Sequence, residues 1–183
     1  MLHVLTGTVK GRKLKVPKGR MIRPTTGRVK KSMFDTLGDI SEWMVLDVFS
    51  GSGGLGIESL SRGAAHVTFI EKNPSVFKIL SENVAVCGFL DKATLISRDY
   101  MDAIKRLGKK NELFDLIFID PPYKLYGKLD VEHFILSAAP LLEDTGVIVI
   151  EHNYKMDGTP KGFNRRTKPF GETQLSYFGK EAM

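Results

Sequence analysis

Residues 44–56 decide the fold and read Met44-Val45-Leu46-Asp47-Val48-Phe49-Ser50-Gly51-Ser52-Gly53-Gly54-Leu55-Gly56. The first half is a short apolar run typical of a buried strand, and the second half is rich in glycine and leads into a segment of helical periodicity. Gly51, Gly53 and Gly56 match the G-x-G-x-x-G pattern, in which glycine lets the backbone approach a nucleotide and lets a helix pack closely on a strand. The order of strand, glycine loop (residues 50–56) and helix predicts the first unit of a nucleotide-binding parallel sheet.

Outside this stretch, short β-branched apolar runs alternate with longer segments of helical period. We predict strands over residues 44–49, 66–71, 93–97, 114–120 and 147–151, and helices over residues 55–62, 74–87, 101–107 and 131–141. Residues 163–169 and 173–178 predict a closing antiparallel hairpin. Near the N-terminus, residues 4–9 and 13–16 predict a short strand pair, followed by a loop and helix over residues 23–37. The fold class is therefore α/β, with helices on both faces of a Rossmann-like sheet.

The composition is that of one globular domain of 183 residues, of which 42% are hydrophobic and 26% are charged. A single cysteine, Cys87, excludes a disulfide scaffold, and no apolar run approaches the roughly 20 residues of a membrane-spanning helix. The N-terminus lacks the apolar core of a signal peptide, so we expect a cytoplasmic protein. The scattered histidines show no metal-ligand spacing, which predicts no metal site.

The net charge of +6 is unevenly distributed along the chain. Residues 1–34, which we call the basic arm, carry ten Lys or Arg and no acid, so residues 35–183 carry a net charge of −4. A basic arm on a mildly acidic body suggests a polyanionic partner that the arm contacts, with a solvated charged face as the common alternative. We predict two parts, a basic extension over residues 1–36 and a larger domain over residues 37–183.

Acidic residues lie at or near the carboxyl ends of the predicted strands, where an α/β sheet binds its ligand. Glu71 comes twenty residues after Gly51, where a nucleotide-binding domain places the carboxylate for the ribose hydroxyls. Asp47 precedes the glycine loop, and its carboxylate would repel a pyrophosphate but attract the ammonium and sulfonium groups of S-adenosylmethionine (SAM), which favours SAM over NAD. Asp99-Tyr100 follows the third strand, where the carboxylate can accept from the adenine amino group and the neighbouring side chain can cover the ring.

The predicted cofactor contacts are Asp47, Phe49, Ser50, Gly51, Ser52, Gly53, Glu71, Asp99 and Tyr100. Two plainer interpretations stay open from the residues alone. The glycine loop can be a turn that uses glycine only for packing, and Asp99 can be a solvated loop acid.

The motif Asp120-Pro121-Pro122-Tyr123 ends the predicted strand beside the glycine loop and is the most specific signal in the chain. Two consecutive prolines fix φ and remove two N–H donors, so the turn presents acceptors only, the Asp120 carboxylate and the peptide carbonyls. Acceptors that bind both hydrogens of a nucleobase amino group favour a pyramidal nitrogen and aim its lone pair at an electrophilic methyl group. Asp120 can also take the released proton, and Tyr123 can stack on an unpaired or flipped base. The alternative is a proline-rich turn with Tyr123 packed on the core.

The motif and its surroundings resemble the RsmD family, bacterial enzymes that methylate guanine N2 in the 16S rRNA of the small ribosomal subunit. The resemblance spans nearly the whole chain and is carried by Gly7, residues 10–14, 23–30 and 49–64, and Asp120-Pro121-Pro122-Tyr123. It implies a seven-stranded SAM-dependent methyltransferase sheet with a basic N-terminal β-hairpin extension, SAM as cofactor and one guanosine of 16S rRNA as target. The chain departs from the family pattern at Lys31, where Glu is usual, and at Ser50 and Gly54, where Ala is usual.

With an RNA as target, the basic arm acquires a specific role. We predict contacts with the RNA backbone through Lys10, Arg12, Lys13, Lys15, Arg23 and Arg28. The expected partner is 16S rRNA in the small subunit or its assembly intermediate, with no membrane contact and with the protein as a monomer.

Four other functions compete with this interpretation. The Asp-Pro-Pro-Tyr motif also suits DNA adenine-N6 methylation, but a chain of 183 residues leaves little room for a DNA-recognition domain. Asp120 in place of Asn disfavours a protein-glutamine methyltransferase, and Asp47 disfavours an NAD-dependent dehydrogenase. A non-catalytic nucleic-acid-binding module is disfavoured because the glycine loop and the Asp-Pro-Pro-Tyr motif are both intact.

Overall fold

The computed structural model describes residues 2–17, 27–121, 131–152, 158–171 and 173–181. The strands are β1 (Leu2–His3), β2 (Lys13–Leu14), β3 (Met44–Asp47), β4 (His66–Ile70), β5 (Ala93–Ile96), β6 (Phe114–Ile119), β7 (Leu142–His152), β8 (Phe163–Phe170) and β9 (Thr173–Lys180). The helices are α1 (Gly27–Leu37), α2 (Gly54–Ser61), α3 (Pro74–Val86), α4 (Tyr100–Lys109) and α5 (Val131–Ala138), and short 3-10 turns cover Leu90–Lys92 and Ala139–Leu141.

Seven of these strands form one sheet in the order β5-β4-β3-β6-β7-β9-β8. Strands β3 to β7 pair with one another in parallel, and β9 is antiparallel to both β7 and β8. The predicted α/β class and the closing hairpin are confirmed. The strand order reverses direction at β3, which places β6 directly beside it and creates the crevice where such sheets bind ligands.

Strand β7 begins earlier than the sequence predicts, at Leu142 instead of residue 147. Its pairing with β6 shifts register between Phe114 and Leu116, so that Phe114 lies opposite Leu142 and Leu116 lies opposite Val147. The polar residues in this irregular part, Glu143 to Thr145, interrupt the apolar run and hide the start of the strand from a periodicity argument.

The N-terminal strand pair differs from the prediction over residues 4–9. The paired residues are Leu2 with Leu14 and His3 with Lys13, and the chain between β1 and β2 is a series of turns. Backbone N–H groups in residues 5–9 bind α2 instead: Leu5 and Thr6 donate to the Glu58 carboxylate, and Thr8 donates to the Ser61 carbonyl. These side-chain and helix-end acceptors replace the hairpin ladder, because α2 leaves its last carbonyls without intrahelical donors.

Two clusters of buried apolar side chains cover the two faces of the sheet. One cluster includes Val45 and Phe118, and the other includes Leu46 and Ile117. The first cluster also contains Val4 and Leu14 near the N-terminus and Val29, Met33 and Phe34 of α1. The described part of the basic arm therefore packs into the same core as the sheet. Among the described residues, no helix combines the length and apolar character needed to cross a membrane.

Candidate active site

Four acidic residues lie at one edge of the sheet, where β5, β4, β3 and β6 end. Asp47 is the last residue of β3, Glu71 follows β4, Asp99 lies three residues beyond β5, and Asp120 follows β6. The register confirms the alignment of these ends: Asp47 pairs with Phe69 on one side and with Phe118 on the other, and Ile70 pairs with Ile96. The carboxylates selected from the sequence are thus brought to neighbouring strand ends.

The glycine loop connects β3 to α2 through residues that require glycine. Gly51 and Gly53 have positive φ angles of 53° and 88°, a conformation that L side chains rarely adopt. A Cβ atom at Gly56 would collide with the ring of Phe69 on β4. The three glycines of the pattern therefore allow the tight turn and the close packing of α2 on the sheet.

Asp47 is almost completely buried beneath this loop, with 2% of its surface exposed. Its Oδ2 accepts a hydrogen bond of 3.1 Å from the backbone N–H of Gly56 in the first turn of α2. Burial raises the pKa of Asp47 to about 7, the Gly56 hydrogen bond opposes that rise, and the nearby Glu71 charge adds to it. A carboxyl group with such a pKa is poised to ionise fully when a cation binds beside it.

Glu71 connects the end of β4 to the glycine loop. Its Oε2 accepts from the N–H of Gly51 at 3.1 Å, and its Oε1 accepts from the N–H of Asn73 at 2.7 Å. Burial raises the pKa of Glu71, and these backbone hydrogen bonds and Lys72 oppose that rise. Each carboxylate oxygen can accept more than one hydrogen bond, so the group retains capacity for hydroxyl donors of a ligand.

The two serines of the glycine loop have structural contacts that the sequence did not reveal. The Ser50 hydroxyl donates to the Asp47 carbonyl at 2.7 Å and accepts from the Ile70 N–H at 3.0 Å. Ser52 is also buried, and its carbonyl accepts from Asn83 Nδ2 at 2.8 Å. Ser50 therefore links the end of β3 to the end of β4. The glycine motif predicts a cofactor contact for this residue but does not predict the link between strands.

Asp99 and Tyr100 occupy different environments although they are adjacent. Asp99 is the N-cap of α4, where Oδ1 accepts from the Met101 N–H at 3.1 Å, and its Oδ2 lies 3.6 Å from Lys72 Nζ. The Tyr100 ring is buried against Phe49, with ring centroids 4.9 Å apart.

The Tyr100 ring also packs against Phe134 of α5, and its hydroxyl lies 3.3 Å from His133 Nε2. The half-buried Phe49 contacts both of the other rings. The Tyr100 ring is thus part of the core beneath the crevice. A contact between Tyr100 and an adenine ring, which the sequence suggests, stays a prediction.

The Asp-Pro-Pro-Tyr motif is described at its first two positions, Asp120 and Pro121, whereas Pro122 and Tyr123 lie outside the described residues. Asp120 is half-buried and Pro121 is buried. The ladder between β3 and β6 continues beyond the strands, because the Val48 N–H donates to the Phe118 carbonyl at 3.0 Å. Asp120 therefore lies beside the start of the glycine loop.

The cations predicted to bind RNA are exposed wherever the structure describes them. Lys10, Arg12, Lys13, Lys15 and Arg28 all belong to this group, and Arg23 lies outside the described residues. Lys15 Nζ pairs with Glu82 of α3 at 2.8 Å, so part of its charge is offset. Lys31, the departure from the family pattern, pairs with Asp35 one turn along α1 at 2.7 Å.

A buried ion cluster that the sequence analysis missed anchors the basic arm. Lys30 and Glu58 are 1% and 0% exposed, and Lys30 Nζ lies 2.9 Å from Glu58 Oε2. The same carboxylate accepts from the N–H groups of Leu5 and Thr6 and from Arg62 Nε. Burial lowers the pKa of Lys30, and the Glu58 charge opposes that change. A glutamate among apolar neighbours in the middle of α2 was the available signal, because such a residue needs a buried partner.

Asn83 of α3 makes a second connection between the basic arm and the glycine loop. Its Nδ2 donates to the Lys15 carbonyl at 2.9 Å and to the Ser52 carbonyl at 2.8 Å, while its Oδ1 accepts from the Lys15 N–H at 2.8 Å. The side chain is 1% exposed. One buried amide thus holds both the segment after β2 and the loop after β3.

Comparisons with known proteins agree with this architecture. A family model described as Conserved hypothetical protein 95 matches residues 2–179. The chain is 31% identical over 185 aligned residues to Ribosomal RNA small subunit methyltransferase D of Escherichia coli (strain K12), which covers 99% of this chain and 91% of the relative.

Solved structures show the same similarity. The Escherichia coli protein yhhF, described as a methyltransferase, superimposes with a TM-score of 0.85 at 28% identity over 100% of this chain and 99% of that one. SMU.776, a methyltransferase in complex with SAH, has a TM-score of 0.63 at 16% identity over 82% of this chain and 48% of that one, and this likeness concerns the fold.

Proposed function

Because the chain belongs to the RsmD family, we propose that it transfers a methyl group from SAM to the exocyclic N2 of one guanosine in the 16S rRNA of the small ribosomal subunit. The observation that carries the proposal is the position of Asp120-Pro121 beside the glycine loop, at adjacent strand ends. The coarser statement, a SAM-dependent methyltransferase acting on rRNA, agrees with the names of the relatives.

SAM is the cofactor, and the residues at the sheet edge fit its chemistry. Gly51 and Gly53 have positive φ angles and no side chains, so the loop makes a tight turn beside the carboxylates of the sheet edge. We assign the ribose hydroxyls to Glu71, whose carboxylate already holds the loop, and the adenine amino group to Asp99. Asp47 supplies buried negative charge below the loop, which suits a ligand with an ammonium and a sulfonium group and disfavours a pyrophosphate.

The reaction needs a nucleophilic amine, and Asp120 is the residue that we assign to it. SAM supplies a methyl group on a positively charged sulfur. The guanine N2 lone pair forms a new bond to the methyl carbon as the bond from that carbon to sulfur breaks, and sulfur keeps the bonding electron pair. The Asp120 carboxylate accepts an N–H of the amine, favours the pyramidal geometry and takes up the proton that the methylated nitrogen releases.

We assign the RNA backbone to the exposed cations of the basic arm. Lys10 and Arg12 lie between β1 and β2, and Lys13 is the first residue of β2. Arg28 lies at the start of α1, and all four side chains are exposed. The anchoring of this segment to α2 through Glu58 fixes its position relative to the glycine loop. A fixed distance between phosphate contacts and reacting atoms is what catalysis by positioning requires.

The test is mass spectrometry of rRNA nucleosides from cells with and without this gene, followed by transfer assays with the purified protein. We expect N2-methylguanosine at one position of 16S rRNA to disappear with the gene. Asp120→Ala should reduce methyl transfer by at least about 100-fold and leave SAM affinity within a few-fold, since the carboxylate serves the amine. Loss of N6-methyladenosine instead would establish adenine as the target, and normal turnover by Asp120→Ala would refute the assigned mechanism.

A further inference from the structure

A second acidic residue lies beside Asp120 at the end of the neighbouring strand. Ile119 of β6 pairs in parallel with Ile150 of β7, so the next residues along each strand, Asp120 and Glu151, are also neighbours. Adjacent strands lie about 4.8 Å apart. We infer that Glu151 is a specificity-determining residue that accepts the N1–H of the target guanine while Asp120 accepts the N2 amine.

When the side-chain alternation of β6 is extended by one residue past Ile119, Asp120 falls on the same face of the sheet as Glu151. Residues two apart along a strand share a face, so Asp120 continues the face of Phe118 and Glu151 continues that of Val149. Phe118 and Val149 belong to the same buried cluster, on the side of α1. Glu151 is half-buried and still inside the sheet, where it pairs with Leu175 of β9. The strand therefore fixes the backbone of Glu151 at the rim of the crevice.

The other polar residue at the end of β7 has a different role. His152 is 2% exposed, and its Nε2 lies 2.8 Å from the Ser176 hydroxyl, which in turn lies 2.8 Å from the Thr167 hydroxyl. This chain of hydrogen bonds ties β7, β9 and β8 together on the opposite face. These hydrogen bonds support the end of β7. Among the residues of β7 that the structure describes at this end, Glu151 is the ionisable group on the Asp120 side.

The chemistry of two neighbouring carboxylates fits the guanine edge. Guanine presents two adjacent donor groups there, N1–H and the N2 amine, and an ionised carboxylate is an acceptor only. Adenine presents an acceptor at N1, and an ionised Glu151 would repel it. The pair of acceptors thus favours guanine over adenine, an inference that rests on the proposed function and deepens it.

The test uses 16S rRNA assembled by ligation with either guanosine or 2-aminopurine riboside at the mapped target position. 2-Aminopurine keeps the exocyclic amine but replaces the N1–H donor with an acceptor. The wild-type protein should methylate 2-aminopurine at least about 100-fold more slowly than guanosine, because the carboxylate loses its donor and faces a lone pair. Glu151→Ala should lose on the order of 100-fold in kcat/KM for guanosine and bring the two substrates within about 10-fold of each other.

Glu151→Gln replaces the carboxylate with an amide of nearly the same volume, and this amide carries a hydrogen-bond donor that the carboxylate lacks. Its amide can donate to N1 of 2-aminopurine, so the turnover of 2-aminopurine relative to guanosine should rise above the wild-type ratio. Glu143→Gln, near the other end of β7, is the matched control and should keep the wild-type ratio. SAM affinity should stay within about twofold in all three variants, as a check that the cofactor site is intact.

The outcomes separate this inference from the function on which it rests. A digest of the wild-type product that contains N6-methyladenosine instead of N2-methylguanosine would overturn both. N2-methylguanosine together with a wild-type substrate ratio in Glu151→Gln would overturn only the role of Glu151. If Glu151→Ala does not fold, as judged by thermal unfolding and SAM binding, the ratio in Glu151→Gln decides the matter alone.

Discussion

Binding of SAM should release protons near neutral pH, and Asp47→Asn should remove a defined share of that release. Burial raises the pKa of Asp47 to about 7 in the protein without ligand. At about pH 7 the group is therefore about half protonated, and a cationic ligand that favours the ionised form releases about 0.5 proton. The share from Asp47 should approach one proton near pH 5.5 and vanish near pH 9, if binding lowers the pKa by about three units or more.

Titration calorimetry in phosphate and in Tris measures this release, because the two buffers have different heats of ionisation. The ammonium group of SAM titrates in the same range, so the informative quantity is the difference between the wild-type protein and Asp47→Asn. The side chain introduced by Asp47→Asn is neutral, and its amide oxygen can still accept from the Gly56 N–H, the contact that Asp47 makes at 3.1 Å. The variant should release about half a proton less at pH 7 and bind SAM more weakly.

The same shift determines how stability without ligand depends on pH. The folded protein holds the Asp47 proton more tightly than the unfolded chain, whose pKa is 3.8. Unfolding therefore releases a proton between about pH 4 and pH 7. As the pH rises through this range, the free energy of unfolding falls by a few kcal/mol at most, and above about pH 7 it levels off. Asp47→Asn should flatten this slope in urea titrations. Identical proton release and identical pH slopes in the two proteins would refute the assignment.

Two further predictions concern the basic arm. Glu58→Gln should lower the free energy of unfolding in urea by about 3 to 5 kcal/mol, because Lys30 would stay buried without its counter-charge; Glu112→Gln, which breaks the exposed pair with Lys110, should cost less than about 1 kcal/mol, and equal losses would contradict the role of burial. Replacing Arg12 and Lys13 by Gln should reduce the slope of log affinity for rRNA against log salt by roughly one unit per lost phosphate contact, whereas replacing the exposed Lys92 and Lys105 by Gln should leave it unchanged. An unchanged slope in the first variant would show that these two cations do not touch phosphate.

The sequence predicts the sheet well because its signals are local and redundant. Each parallel strand is a buried apolar run, and helix starts carry their own cues, such as Asn73, whose side chain caps α3 ahead of Pro74. Strand ends then follow from the fold, which is why Asp47, Glu71 and Asp120 are found at one edge. These predictions need only the chain order and the rules of parallel sheets.

The missed features depend on contacts between residues far apart in the chain. Residues 4–9 are rich in β-branched side chains like a strand, but the N–H groups of residues 5, 6, 8 and 9 bind Glu58 and Ser61, more than fifty residues away. The packing of Tyr100 on Phe134 is another contact that no local pattern reveals. Long-range acceptors and aromatic packing are tertiary effects that override local periodicity.

The cations of the basic arm fall into two groups, those that pair with acidic side chains of the protein and those that are exposed. Lys30 is buried with Glu58 and holds the arm on α2, whereas Lys15 forms an exposed pair with Glu82 of α3. Lys10, Arg12 and Lys13 are exposed, and no ion pair engages them within the described residues.

The buried contacts that anchor the arm keep its exposed cations at fixed positions relative to the glycine loop. A mobile arm would gain affinity for phosphate but would not fix the distance from the RNA backbone to the methyl donor, and reaction rate depends steeply on that placement. Asn83 holds the arm and the glycine loop through the same buried amide, with hydrogen bonds of 2.8 and 2.9 Å. Removal of the Asn83 amide should therefore reduce kcat more than affinity for RNA. Removal of the exposed cations should reduce affinity for RNA more than kcat.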